Sequence, residues 1–342
     1  MNAVVMARHG GPDVLSYTEV REPGINATEV LVKVRACALN HLDLWVRRGI
    51  PGVAFPLPHI PGSDIAGEVK KVGELVHNVH VGQRVLLAPG VSCGVCERCA
   101  AGDDNLCRHY TLFGYMIDGG CAEYVKAPEA NVIPIPGDLK FEEAAAVPLA
   151  FLTAWHMLIT RARLQPGERV LVLAGGSGVG SAAIQIAKLI NARVIATVGS
   201  EAKAARAKEL GADQVILHSK DSIKEEVKSL TNRRGVDVVV EHVGESTWPE
   251  SVACLGVGGR LVTCGATTGY HANIDLRFLF SRQLSILGSY MGSKGELHRV
   301  LALIGQRKLH AVIDTILPMK KCALGHAMLE KREQFGKIVL VP

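Results

Sequence analysis

The sequence predicts an α/β protein with a β-rich domain followed by a doubly wound, parallel-sheet domain. Three observations carry this. The length of 342 residues favours two domains over one. Residues 1 to about 125 read as short strands punctuated by turn residues. From about residue 165 the rhythm becomes strand, helix, strand, helix, which builds a parallel sheet covered by helices on both faces.

In the first block, apolar runs at residues 30–34, 66–69, 84–87 and 122–125 have strand length and composition. Pro23-Gly24, Pro51-Gly52 and Pro61-Gly62 supply the turns between them. In the second block, strands are predicted at 169–173, 194–198, 214–216, 236–240 and 260–262. Helices are predicted at 179–190, 202–210 (ended by Gly211), 222–230 and 248–255. The last fifty residues return to a mixed pattern and end in an apolar strand at 337–341. Such a tail can pack back onto the first domain.

Composition excludes several function classes. The net charge of +5 is small for this length, and basic pairs such as Arg47-Arg48 and Lys320-Lys321 are scattered among acids. A nucleic-acid partner is therefore not expected. The longest apolar stretch, 144–159, contains Pro148 and His156 and is too short to span a bilayer, so no membrane partner is expected either. Residues 1–10 carry no apolar signal-peptide core, and a cytoplasmic location is expected. In a reducing compartment most of the nine cysteines are not disulfides.

The sharpest cofactor signal is the glycine-rich turn that links the strand at 169–173 to the following helix. It contains Gly175, Ser177, Gly178, Val179 and Gly180. A pyrophosphate approaches backbone N–H groups at a helix N-terminus, and a Cβ there blocks it. Gly175 is assigned to the tight turn and Gly180 to close packing of helix on strand. A tight turn with no ligand is the plainer alternative.

The second strand of this block ends Val198-Gly199-Ser200, with no acid at its tip to bind a ribose 2′-hydroxyl. Ser200 can donate to a 2′-phosphate and Lys203 can neutralise one, which favours NADPH. Glu201 is the counter-evidence, and NADH remains open. Backbone around the nicotinamide is assigned to Val243, to Gly265, Ala266 and Thr267, and to Leu287, Gly288 and Ser289. Each group follows a strand at its C-terminal end.

Cys93, Cys96, Cys99 and Cys107 have a spacing that closes a tetrahedral zinc site with no open position, which makes the metal structural. An iron–sulfur run ends differently, in x3 and then Cys-Pro, whereas here Arg108 follows Cys107. The remaining cysteines sit singly among apolar or small residues and read as buried spacers.

Taken together, residues 62–69 (Gly-Ser-Asp-Ile-Ala-Gly-Glu-Val), Gly82-Gln83-Arg84-Val85, the four-cysteine lobe, residues 119–125 and the glycine turn resemble the medium-chain dehydrogenase/reductase superfamily over essentially the whole length. The resemblance implies a GroES-like catalytic domain (1–150 and 290–342) interrupted by a Rossmann domain (151–289), with the active site in the cleft between them. It also implies a homodimer or homotetramer.

Zinc alcohol dehydrogenases of that superfamily carry three ligands to a catalytic zinc. Their positions are occupied here by Asn40, by Ser63 and by the ligand-free segment 148–153, and Leu42 replaces the proton-relaying hydroxyl. Loss of the catalytic zinc is expected, although a rearranged site using His41, His59 or Asp64 stays open. These replacements resemble the quinone oxidoreductase branch, in which Asn40 and Asp43 have counterparts in the cofactor cleft. There, His218 falls where an aromatic residue packs near the 2′-phosphate.

The function implied is NADPH-dependent reduction of a quinone or α,β-unsaturated carbonyl, with one structural zinc per chain. Asn40, together with His41 or water, holds the enolate oxygen, and Asp43 orients Asn40. Loops 45–55 and 110–118 shape the acceptor pocket. The alternatives are a zinc-dependent alcohol dehydrogenase acting on an alcohol or aldehyde, and a non-catalytic dinucleotide-binding protein.

Overall fold

The computed structural model describes residues 1–342. Its seventeen strands and eleven α-helices, numbered β1–β17 and α1–α11 in chain order, form two compact units. One comprises Met1–Leu149 and Gly292–Pro342, the other Ala150–Met291. No helix is long and apolar enough to cross a membrane.

The first unit is built on a seven-stranded sheet. Its order is β16 (Ile313–Pro318), β17 (Lys337–Val341), β3 (Glu29–Ala38), β4 (Asp64–Val72), β5 (Arg84–Leu87) and β9 (Val132–Pro134), with β8 (Tyr124–Pro128) also paired to β3. The predicted strand at 122–125 thus begins two residues later, because Ala122 makes a single bridge to Ala3 instead. A hairpin of β1 (Asn2–Met6) and β2 (Leu15–Glu19) and a small ribbon of β6 (Gly90–Val91) and β7 (Thr111–Leu112) complete the strands. The core joins Val30, Val32 and Val34 of β3 to Ile65, Val69, Val85, Leu87, Ile338 and Leu340. The C-terminal strand therefore lies inside the first unit's sheet, with Val339 opposite Ala38 and Leu340 opposite Cys37.

Asn40 is extended, and His41–Asp43 open a helix. Helix α1 (His41–Arg48) is separated from β3 by two residues, with Asn40 at its N-cap position. A single helical turn, α2 (Glu97–Ala100), lies within the cysteine lobe. Helix α3 (Phe141–Ala145) and α4 (Pro148–Trp155) occupy the apolar stretch, and α10 (Lys294–Gly305) and α11 (Cys322–Glu330) belong to the C-terminal part.

The second unit is the predicted parallel sheet. Its order is β12 (Gln214–Leu217), β11 (Arg193–Val198), β10 (Arg169–Val172), β13 (Val236–Glu241), β14 (Leu255–Thr263) and β15 (Ser285–Gly288), with every pair parallel. Helices α5 (Gly178–Leu189), α6 (Glu201–Glu209), α7 (Ile223–Leu230), α8 (Trp248–Ala253) and α9 (Leu276–Ser281) connect the strands. Leu171, Ile195, Val239 and Leu261 form its core. Chain order reverses between β10 and β13, the switch point where open α/β sheets bind their ligands.

Candidate active site and metal centre

The glycine turn lies at that switch point. Ser177 caps α5, its Oγ accepting the Gly180 N–H at 2.9 Å. One cap satisfies one of the orphan N–H groups at a helix start, and the others remain for an anion. A Cβ on Gly180 would lie 2.3 Å from the Ala174 carbonyl oxygen, so only glycine lets the helix approach the strand. The turn differs from expectation at Gly175. The left-handed residue is Ala174 (φ 45°). Gly175 is instead a contact residue, since its Cβ would meet Ala196 and Ile184 at 3.1 and 3.2 Å.

Because all six strands are parallel, their C-terminal ends share one edge, and the predicted cofactor residues lie along it. Ser200 lies two residues past β11 and caps α6, accepting the Lys203 N–H at 3.4 Å. His218 follows β12, its Nε2 3.5 Å from where a Gly199 Cβ would be. Val243 follows β13, and its N–H donates to Glu241 Oε1 at 2.6 Å. Gly265, Ala266 and Thr267 follow β14, with Thr267 donating to the His242 carbonyl at 3.1 Å. Leu287 and Gly288 end β15, and the Ser289 N–H donates to Thr263 O at 2.8 Å. The Gly288 carbonyl already accepts from Arg161, at 2.7 Å. In the strand order β15 stands three places from β10, so this last group is farthest from the turn.

The four lobe cysteines converge in the first unit. Cys93 and Cys99 sulfurs are 3.9 Å apart, Cys96 and Cys99 3.6 Å, and Cys93 and Cys107 3.5 Å. A tetrahedral ion with metal–sulfur distances of about 2.3 Å needs sulfur separations of about 3.8 Å. The residues therefore fit a four-coordinate metal. Backbone N–H groups of Cys93 and His109 point at Cys107 Sγ at 3.5 and 3.4 Å. No other set of three or more His, Cys, Asp or Glu side chains converges in this way.

A second cluster in the first unit gathers residues 40, 64, 149 and 337. Asp64 is fully buried. Its Oδ1 accepts the Leu149 N–H at 2.7 Å, and its Oδ2 accepts from Asn40 Nδ2 at 3.0 Å and Lys337 Nζ at 2.9 Å. Lys337 Nζ also donates to Asn40 Oδ1 at 2.5 Å. Ser63 turns away, donating to the Phe113 carbonyl at 2.6 Å. Asp43, also fully buried, accepts the N–H groups of Asn40 at 2.7 Å and Gly62 at 3.0 Å. Burial pushes its carboxyl up, against the charges of His326 and Lys337 and those two N–H bonds. Gly62 has a φ of 104° and packs on two sulfurs, its Cβ position lying 2.6 Å from Cys37 Sγ and 2.8 Å from Cys121 Sγ. These cysteines are therefore paired in space, 3.8 Å apart, rather than single spacers.

Residues 26–137 match the alcohol dehydrogenase GroES-like domain and residues 178–306 the zinc-binding dehydrogenase domain. Quinone oxidoreductase of Lama guanicoe is 30% identical over all of this chain and 97% of its own length. Acryloyl-coenzyme A reductase of Metallosphaera sedula is 31% identical over 99% of each chain.

The chain belongs to the zinc-binding dehydrogenase family.

It is a nicotinamide-dependent oxidoreductase of the medium-chain type. A crystal structure described as an NAD-dependent alcohol dehydrogenase is 48% identical to this dehydrogenase, with a TM-score of 0.96 and full coverage of both chains. The expected GroES-like and Rossmann folds are thus both present.

Sequence reasoning missed three residues of this dehydrogenase. Lys337 joins the Asn40 cluster from the far end of the chain, and its only signal is a charge at the head of an apolar strand. His242, at the switch point, has Nε2 3.0 Å from the Leu173 carbonyl and 3.5 Å from Ser177 Oγ. A carbonyl only accepts, so Nε2 carries the hydrogen; burial lowers the ring's pKa against the opposing Glu241 charge and the Leu173 bond. Glu241 itself is buried beneath the loop that carries Val243. His41 opens α1, half-buried. The two loops assigned to the acceptor meet through Phe55 and Tyr115, whose rings pack edge to face with centroids 5.3 Å apart.

Proposed function

We propose that this dehydrogenase reduces quinones or α,β-unsaturated carbonyl compounds with NADPH, without a catalytic metal, and that its one zinc ion is structural. The observation that carries this reading is the Asn40–Asp64–Lys337 set. At one position where metal-dependent relatives are expected to carry a ligand, this chain has the Asn40 amide, which is held by the Asp64 carboxylate and the Lys337 ammonium. Zinc normally stabilises developing alkoxide charge, and a conjugated acceptor lessens that need by spreading charge onto a distant oxygen. Bound NADPH would supply the hydride. Asn40, with His41 or water, would hold the acceptor oxygen, while Asp43 fixes the Asn40 backbone. The edge-to-face Phe55–Tyr115 pair ties together the two loops assigned to the acceptor.

NADPH is favoured over NADH on two grounds. Gly199 holds the tip of β11, where an acid would bind a 2′-hydroxyl. Glu201, the acid that argues against phosphate, is paired with Lys220 at 3.1 Å. Ser200, Lys203 and His218 would then surround the 2′-phosphate. Cys93, Cys96, Cys99 and Cys107 would hold the zinc. The reading includes a small-molecule substrate, a cytoplasmic setting, and a homodimer or homotetramer.

A second reading, NADH-dependent alcohol oxidation, is favoured by the name of the 48% identical structure. One experiment separates them: metal-quantified protein assayed with quinones, enones, enoyl thioesters and alcohols against both cofactors. One zinc per chain with NADPH-driven enone or quinone turnover supports the first reading. Two metals per chain with alcohol oxidation by NAD would replace it. Absence of turnover with any of these would favour a non-catalytic dinucleotide-binding protein.

A further inference from the structure

We infer that Lys337 is a positioning residue that fixes and polarises the Asn40 amide. This rests on the reading of Asn40 as the donor to the acceptor oxygen. Asparagine at a helix start ordinarily caps with its side chain. Asn40 makes no side-chain cap, and Asp43 takes the Asn40 N–H instead. The freed amide enters the cluster with its oxygen on the Lys337 ammonium and its nitrogen on the Asp64 carboxylate. Only one orientation of the amide suits those neighbours, because the flipped form would set NH2 against NH3⁺ and oxygen against oxygen.

Lys337 is 4% exposed and Asp64 is not exposed at all, so these bonds act in a poorly screened interior. The ammonium draws density from the amide oxygen and makes the Nδ2 hydrogens better donors. One of them is committed to Asp64. The other donates to the Ala38 carbonyl at 3.4 Å, a long and therefore weak bond that a substrate oxygen could replace. That second hydrogen is the one able to meet a substrate oxygen as negative charge develops there. Lys337 is itself held by the sheet: its N–H donates to Val312 O at 2.8 Å, and Leu39 N–H to Ile338 O at 2.9 Å. Strand β17 thus delivers the ammonium to the residue that ends β3.

The test is steady-state kinetics of the full-length enzyme with NADPH and the acceptors that the wild type reduces. Lys337→Met should lower kcat about 10- to 100-fold, somewhat less than direct loss of an oxyanion donor, with NADPH affinity within about twofold of wild type. Lys337→Arg should recover most of the loss. In an Asn40→Ala background, Lys337→Met should cost less than about twofold more, because its effect passes through Asn40. A merely structural lysine predicts the same fold-loss in both backgrounds, and that result, or an unchanged kcat, overturns the inference. Lys337→Met leaves Asp64 without its counter-charge. If it does not fold, Lys337→Met/Asp64→Asn removes both charges and must show the same low kcat; wild-type-like turnover overturns the inference. A wild type that reduces none of the acceptors sinks the functional reading, and the inference with it. Activity in the wild type with additive losses sinks the inference alone.

Discussion

Glu241 Oε1 accepts the Gly244 N–H at 3.0 Å, and this bond holds the loop after β13 in a tight turn over the sheet edge. The same carboxylate, fully buried, accepts Val243 N–H at 2.6 Å, Thr247 Oγ1 at 3.0 Å and Ser251 Oγ at 2.5 Å. Glu241→Ala removes the acceptor of four donors, of which the Gly244 N–H and Ser251 hydroxyl are buried and Thr247 keeps the Gly244 carbonyl at 3.2 Å. A loss of about 3 kcal/mol or more is expected in urea unfolding, together with weaker NADPH binding. Glu241→Gln keeps an acceptor oxygen and should lose less of both. Equal stability of the alanine variant and wild type would show that the loop reorganises freely.

The cysteine lobe should hold one zinc per chain, and Cys99→Ser should bring the zinc content measured by mass spectrometry close to zero. The variant should become sensitive to protease between residues 93 and 107, because a loop pinned by a metal loses its constraint with the metal. Protein that stays folded should keep its affinity for NADPH. Stoichiometric zinc in the serine variant would place the metal elsewhere.

Cofactor choice should respond to the cations near the end of β11. Lys203→Ala is expected to weaken NADPH about tenfold, or about 1.4 kcal/mol, and to leave NADH unchanged. Fluorescence titration with both cofactors measures this directly. A variant that binds NADPH as tightly as wild type removes Lys203 from the phosphate site.

Acid stability should depend on paired carboxylates of the second unit. Arg260 grips Glu168, Nη1 to Oε1 at 2.9 Å and Nη2 to Oε2 at 2.6 Å. Burial raises the Glu168 carboxyl, but the Arg260 bonds, the Gln165 N–H and the Arg260 charge outweigh it and hold the pKa below its ordinary value. Asp213 behaves likewise: burial raises it, and Val194 N–H and Lys188 bring it down further. A depressed folded pKa means that the native state binds fewer protons than the unfolded one. The stabilisation is therefore complete above pH about 4.5 and is lost as pH falls through the folded values. Urea midpoints should be flat from pH 7 to about pH 5 and then drop. Arg260→Met should flatten part of that drop, and an unchanged acid limb would mean that the pair contributes nothing.

Much of the fold was legible because its signals are local. The strand–helix alternation lies in runs of four to twelve residues, and the second unit's helix starts fall at Ser177, Ser200 and Ser222, residues that cap by their own side chains. Helix α1 has no such local signal, because it buries Asp43 and Arg47, charges that suggest a surface until their partners are seen. The turn was recognised, but only the path between β10 and α5 puts its left-handed conformation on Ala174.

The sequence by itself determined the two fold types, the glycine-rich turn between strand and helix, and the convergence of the four lobe cysteines. In each, the groups that cooperate lie within a few residues of one another, so spacing fixes geometry. The tertiary structure alone decided what surrounds Asn40. Lys337 reaches it across 297 positions of sequence because β17 pairs with β3, and no local pattern records which strand will become which strand's neighbour. His242 meets the glycine turn for the same reason, through the pairing of β10 with β13. Side-chain chemistry is written residue by residue, but the partners that tune it are chosen by strand order.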